Sequence, residues 1–179
     1  MKSFIELLED LSKGSSEAYD VLETCFSQKK DSEGKAVSAQ FLKQVQDELE
    51  SRARSGNTPS MVLLGNVYLN GWGVPANVNK ALDYARRAAS LGDAGGEVLL
   101  GYLYANGLGV KTDYDRAHYW FKMAQDKGHS MAVNNLGAMY ENGLGVKKDL
   151  SLAIKHYQQS AAQKNKLAAQ NLERLVGKK

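Results

Sequence analysis

Three histidines, one cysteine and three glycine-rich strings are the residues of this 179-residue chain whose types could carry chemistry. His118, His129 and His156 would need partners at fixed spacing to bind a metal or move a proton, and none stands near an HExxH or CxxC pattern. His118 reads as a half-exposed helix residue, His129 as a loop residue and His156 as a packing substitute. Cys25 falls on the apolar side of a predicted helix, where a thiol serves as a small hydrophobe rather than a nucleophile. The Gly-x-Gly strings that begin at Asn70, Asn106 and Asn142 follow predicted helices rather than strands and lack a Gly-Lys-Ser/Thr ending, so they read as turns rather than phosphate cradles. No catalytic residue, cofactor site or metal site is assigned, and the chain is expected not to be an enzyme.

Those strings carry a different message in their spacing. NGWGVPAN, NGLGVKTD and NGLGVKKD begin 36 residues apart. Stepping by the same interval aligns Leu64, Leu100, Leu136 and Leu172, then Gly65, Gly101 and Gly137, then Tyr68, Tyr104 and Tyr140. It also aligns Val74, Val110 and Val146, and Ala81, Ala117 and Ala153. A fixed period of this length marks supersecondary units that cannot bury their apolar faces alone and stack on their neighbours to do so.

Each unit is predicted to be a helical hairpin. Within Ser60 to Asn70, positions 60, 64, 65 and 68 share one helix face, because residues three and four apart stack along the surface. A helix-interior glycine costs about 1 kcal/mol in propensity, so its return at 65, 101 and 137 predicts a close crossing by a second helix. Asn-Gly then caps the first helix with positive φ, and the second glycine turns the chain again so that Val74, Val110 or Val146 tucks in. The second helices begin near 77–79, 113–115 and 149–151, with Asn77, Asp113 and Asp149, or Asn79, Asp115 and Ser151, as alternative caps. Ala81, Ala117 and Ala153, with Ala88, Ala124 and Ser160 seven residues on, form a low ridge for the first helix to nest against. Tyr84 and Trp120 share an aromatic position that His156 fills in the third copy, a change expected to loosen the last hairpin. Gly92 and Gly128 close their helices.

The first 59 residues depart from the pattern. Ser3 with Glu6 forms a capping box, and Phe4, Leu7, Leu8 and Leu11 mark an amphipathic helix up to Gly14. A second helix starts at Ser15 or Ser16 and buries Ala18, Val21 or Leu22, Cys25 and Phe26, before the polar stretch from Lys29 to Lys35. Val37, Phe41, Val45 and Leu49 mark a third, and residues 15–56 read as a degenerate capping hairpin. At the other end, Leu167 to Val176 reads as an isolated first helix whose Glu173 replaces the glycine. The expected organisation is a helical cap over 1–59, three repeats over 60–95, 96–131 and 132–166, and a capping helix with a basic tail over 167–179.

Composition fits one elongated domain: 43% apolar residues supply a core, and two prolines leave the helices uninterrupted. The net charge of +3 is small, with lysines and arginines dispersed among acids apart from Lys178 and Lys179. That balance predicts no nucleic-acid partner. No apolar run is long enough to span a bilayer, and Glu6, Glu9 and Asp10 interrupt any secretory h-region, so a cytoplasmic protein without membrane attachment is expected.

Segments such as AVNNLGAMYENGLGVKKDLSLAIKHYQQSAA, from Ala132 to Ala162, resemble Sel-one-like repeats, helical-hairpin relatives of the tetratricopeptide repeat. The likeness covers about residues 60 to 175. It implies an all-α fold, an α-α superhelix (solenoid) of stacked antiparallel hairpins that holds other proteins together and has no chemistry of its own. The paired cysteines of the family's secreted members are missing, which points to a reducing compartment, and a bacterial source is expected.

In such a stack the first helices line a concave wall, and the side chains off the packed side face a partner. The expected stripe is Val62, Leu63 and Asn66, then Val98, Leu99 and Tyr102, then Asn134, Asn135 and Ala138, ending at Gln170 and Asn171. Apolar and aromatic members would anchor the partner, while Asn134 or Asn135 would bond an extended backbone. The bland alternative is that Val62, Leu63 and Leu99 seal adjacent repeats. The functional expectation is an adaptor or scaffold that binds a protein or peptide, monomeric or at most weakly self-associating. The alternative is an immunity or antitoxin-type inhibitor that neutralises one toxic enzyme through the same surface. A nucleic-acid-binding solenoid would need basic, base-reading residues at matched repeat positions, and positions 62, 63 and 66 offer none.

Overall fold

Asn57 places its side-chain oxygen 3.0 Å from the Ser60 amide, and Pro59 fills the first turn, so the helix that carries the first repeated face begins at Thr58, two residues before the repeat spacing suggests. The structure is a computed structural model and describes residues 4–12, 15–28 and 38–177. These residues form ten α-helices: α1 (Phe4–Ser12), α2 (Ser16–Gln28), α3 (Ala39–Arg54), α4 (Thr58–Asn70), α5 (Val78–Ser90), α6 (Ala94–Asn106), α7 (Tyr114–Asp126), α8 (Ser130–Asn142), α9 (Leu150–Ala162) and α10 (Lys166–Val176). No strand occurs among them. Ser3, Val37, Lys178, Lys179 and the stretch from Lys29 to Lys35 lie outside the described residues, and with them the capping box and the start of the third predicted helix.

The chain divides into two units, Met1–Leu99 and Leu100–Lys179, with the division inside α6. In the first, α4 is the central element. It packs along α5 and is also touched by α1, α2 and α3. Its run from Ser60 to Gly65, with Val67 and Tyr68, is buried. A helix surrounded in this way needs apolar residues on every side, which is why MVLLGNVYL shows no polar face. Leu8, Leu11, Leu22, Cys25, Phe26, Leu42, Val45 and Leu49 complete the core around it.

In the second unit, α8 pairs with α9, and α10 closes against α9. Ala153, Tyr157 and Ala168 are buried at that end, with Leu172 and Leu175 half-covered against them. The hairpin crossings depend on absent side chains. A Cβ at Gly101 would stand 2.7 Å from the Phe121 ring, and one at Gly137 would stand 2.8 Å from the Tyr157 ring and 3.3 Å from the Ala153 carbonyl oxygen.

The three loops close in the same manner. Gly71, Gly107 and Gly143 adopt left-handed φ of 70°, 65° and 70°, and Gly73, Gly109 and Gly145 do so again two residues later. The amides of Asn77, Asp113 and Asp149 then donate to the carbonyls of Tyr68, Tyr104 and Tyr140 at 2.8, 3.0 and 2.9 Å. Their side chains cap the second helices by accepting from Lys80, Arg116 and Leu152. The structure therefore selects the first of the two alternative capping positions in each copy.

The turns that follow the second helices hold Gly56, Gly92 and Gly128 at φ of 92°, 78° and 81°. Lys164 takes the equivalent place at φ 65°, the only non-glycine residue with positive φ among the described residues. A left-handed non-glycine conformation costs roughly 1 kcal/mol.

These two backbone constraints give opposite outcomes. Gly137→Ala is expected to destabilise by about 1–3 kcal/mol, because Tyr157 and the α9 backbone cannot both yield. Lys164→Gly is expected to stabilise by roughly 0.5–1 kcal/mol through released strain. Urea unfolding followed by circular dichroism measures both, and a loss on Lys164→Gly or no change on Gly137→Ala contradicts the packing described.

Candidate functional site

The residues of the expected stripe fall into distinct environments. On α4, Leu63 is buried in the core, and Val62 is covered where α6 begins, since a Cβ at Gly95 would stand 3.3 Å from it. Leu99 is also buried, with its Cδ2 over Gly65 at 2.5 Å from where a Cβ would be. Val62 and Leu99 join α4 to the first turns of α6, and all three side chains are buried. Asn66 is half-buried, and its amide donates to the Tyr19 hydroxyl of α2. Burial pushes the Tyr19 phenol well above its ordinary range despite that bond. Val98 is half-exposed. In the first unit the α4 part of the stripe is thus covered, by α6 at Val62 and by α2 at Asn66.

In the second unit the amides bind one another. Asn134 is buried; its oxygen accepts from Asn171 Nδ2 at 3.1 Å, and its own Nδ2 lies 3.4 Å from Asn135 Oδ1. The three form a polar seam between α8 and α10. Ala138 packs half-buried against the Tyr157 cluster. Gln170 is exposed, and Tyr102 on α6 is the one large apolar member of the stripe that is open, at 44%.

The repeated tyrosines organise polar networks that periodicity does not announce. Tyr68 Oη donates to Glu50 at 2.7 Å and accepts from Gln46 at 2.8 Å, while Lys80 Nζ sits 4.5 Å over its ring. Burial pushes the Glu50 carboxyl up, but bonds from Tyr68 and Gln46 and the charges of Lys80 and Lys43 outweigh it and hold the group low. Gln46 sits between Val45 and Leu49 on the buried side of α3, so a polar residue on that face was the legible signal. In the next copy, Arg116 stands where Lys80 did, 5.4 Å from the Tyr104 ring centre.

The third copy has Leu152 at that place and compensates with imidazoles. His156 stacks on Tyr140 at 5.4 Å and 6°, the counterpart of Tyr84 on Tyr68 at 6.0 Å and 8°. The ring contact of this position is kept by the imidazole. His118 meets the same tyrosine edge-on at 6.2 Å. Near the carboxyl end, Tyr157 Oη donates to Glu141 at 2.8 Å, and Arg174 of α10 donates to the same carboxylate oxygen at 2.7 Å. Arg174 first, with Tyr157, holds Glu141 low against the pull of burial.

Among the described residues no three of His, Cys, Asp and Glu come together to hold a metal ion. No helix there is long and apolar enough to cross a membrane. Cys25 is buried.

Burial first, then the charge of Lys122, lowers the affinity of both His118 and His156 for a proton. A base whose pKa falls on folding stabilises the fold above its unfolded value, about 6.5, and that contribution is lost as pH drops below it. The melting temperature is therefore expected to decline between about pH 7 and pH 5. A His118→Phe, His156→Tyr double variant should lose less over that window, and an equal decline in both proteins would refute the imidazole assignment.

The hairpins and loops match known proteins. The Sel1 repeat family model covers residues 58–93, 95–129 and 130–165. No curated protein matches the chain. Among solved structures, a protective antigen present in uropathogenic Escherichia coli strains, displaying an SLR fold, is 27% identical with a TM-score of 0.70 over 98% of this chain. The match takes in 36% of that protein, so this chain spans about a third of its length. A Sel1 repeat protein from Oxalobacter formigenes is 24% identical with a TM-score of 0.75, over 97% of this chain and 68% of the other. Helicobacter pylori cysteine rich protein B is 23% identical with a TM-score of 0.55, over 72% of this chain and 97% of its own. These last two likenesses speak for the fold alone, an all-α helical repeat of the solenoid class. Three consecutive family matches that run through the same hairpins and glycine loops, over more than half of the sequence, settle the matter: the chain belongs to the Sel1 repeat family.

Proposed function

We propose that the chain is a non-enzymatic adaptor that binds a partner protein or peptide through open side chains of its first helices. Sel1 repeat proteins are generally protein–protein interaction modules. The observation that carries the finer reading is Tyr102. It stands at the stripe position shared by Asn66, Ala138 and Arg174, and it keeps 44% of its surface open although its neighbours Leu100, Leu103 and Tyr104 are buried. A half-exposed tyrosine on a rigid helix supplies contact area at little entropic cost and is a favoured anchor in interfaces. Gln170, exposed on α10, is the polar member of the proposed surface. Val62, Leu63, Leu99 and Asn134, being buried, support the helices that present it. Monomeric behaviour and a cytoplasmic setting complete the proposal.

Affinity purification from an extract of the source cells, with the intact chain beside Tyr102→Ala, tests it. Truncating a central aromatic anchor is expected to weaken a specific complex by about 2 kcal/mol or more, so a specific partner should drop out while circular dichroism stays unchanged. Equal recovery of every partner would reject this surface.

A further inference from the structure

The charge of the chain is unevenly divided. Residues 1–99 hold eleven lysines and arginines against fourteen acids, and residues 100–179 hold twelve against six, so a small total of +3 conceals −3 in the first unit and +6 in the second. Within the second unit the imbalance is local. No Asp or Glu occurs from Lys127 to Tyr140 or from Leu150 to Leu172, while Lys127, Lys155, Lys164 and Lys166 do. Lys127 and Lys164 belong to the two turns that precede α8 and α10, and Lys166 opens α10. The turns lie side by side: Ser160 Oγ donates to the Ser130 carbonyl at 2.7 Å, and Asn165 Nδ2 lies 3.9 Å from Met131 Sδ.

Beside the lysines two apolar side chains are open, Met131 at 38% and Leu167 at 46%. The matching positions in the first unit are Pro59 and Gly95, and its turns hold no lysine but an Asp93 engaged with Thr58 at 2.6 Å. The edge of the second unit is also where the backbone is strained. Lys164 holds a left-handed conformation that glycine adopts in the other three turns, so a lysine is kept where the fold alone favours glycine. Basic groups around exposed thioether and leucyl carbons, with no Tyr, Trp or Phe in either turn, fit a protein segment better than a nucleic acid, which needs stacking rings or a denser cationic track.

We infer that this turn edge docks an acidic, amphipathic segment of a partner protein, which presents carboxylates to Lys164 and Lys166 and an apolar side chain to Met131 and Leu167. The inference rests on the adaptor reading and gives it a second contact, separate from Tyr102, with a partner of stated charge. Complementary charge of this kind sets the rate and selectivity of encounter more than its final strength.

The test uses the full chain and a fluorescent helical peptide of Glu and Leu at three- and four-residue spacing, followed by anisotropy. A Lys and Leu peptide of the same design and a single-stranded oligonucleotide serve as the other probes. The acidic peptide is expected to bind, and to bind several-fold more weakly when salt rises from about 50 to about 300 mM. Lys164→Glu with Lys166→Glu should weaken it about ten-fold or more. Lys164→Gly should weaken it by a smaller factor while raising the melting midpoint by about 2 °C, so that lost binding cannot be ascribed to lost fold. Tyr102→Ala should leave it unchanged. No binding of the acidic peptide, affinity indifferent to the lysine variants, or preference for the basic peptide or the oligonucleotide overturns the inference. Binding that follows Tyr102 and ignores the lysines overturns it while leaving the adaptor reading intact.

Discussion

The approach of the two helices within each hairpin is the constraint on which the remainder depends. At Gly101 and Gly137 the facing helix brings a ring within a distance that no Cβ could share, and Ala117 and Ala153 are fully buried on the other side. Small residues on both sides let backbones come close, and the large side chains then fill the space beside the crossing rather than within it. Phe121 and Tyr157 follow from that arrangement, as does the burial of Leu100 and Leu136. An element that loses its close crossing must change its neighbours. Glu173 stands on α10 where the glycine stood, on the last of the ten helices, which has no second helix after it among the described residues.

The tyrosine that follows the glycine shows how one position is served by different chemistry. Lys80 and Arg116 place a cation over Tyr68 and Tyr104, and where Leu152 stands in their place, His118 meets Tyr140 edge-on beside the stacked His156. An aromatic face accepts either a cation or another ring, so the position tolerates the exchange. The networks at Glu50 and Glu141 do comparable work at two places: each carboxylate receives a tyrosine hydroxyl and is held in its charged form by a nearby base. Such bonds fix side chains in one geometry more than they add stability.

The hairpins, the loop glycines and the capping positions were legible because each follows from residue type at a fixed interval. Asn77, Asp113 and Asp149 could be placed to within two residues, and the structure chose among the alternatives. The stripe was harder to read. Helical spacing places Leu63 off the face shared by Leu64 and Tyr68, yet α4 is enclosed on that side too, by α1 and α2, and sequence spacing carries no sign of how many neighbours a helix has. Asn66 reads as a solvent-facing amide until Tyr19, 47 residues earlier in the chain, is brought against it. Lys164 could have been noticed from the sequence, since a lysine aligned with three glycines implies an unusual φ.

The three glycine loops are alike in their fastening. Each is closed by bonds among its own residues and the helices that it joins, from the Tyr68, Tyr104 and Tyr140 carbonyls to the caps at Asn77, Asp113 and Asp149. A hairpin built in this way carries its own fastening. Copying or deleting a block of 36 codons would therefore add or remove a finished module without the invention of a new turn, which gives the gene an easy route to longer and shorter descendants.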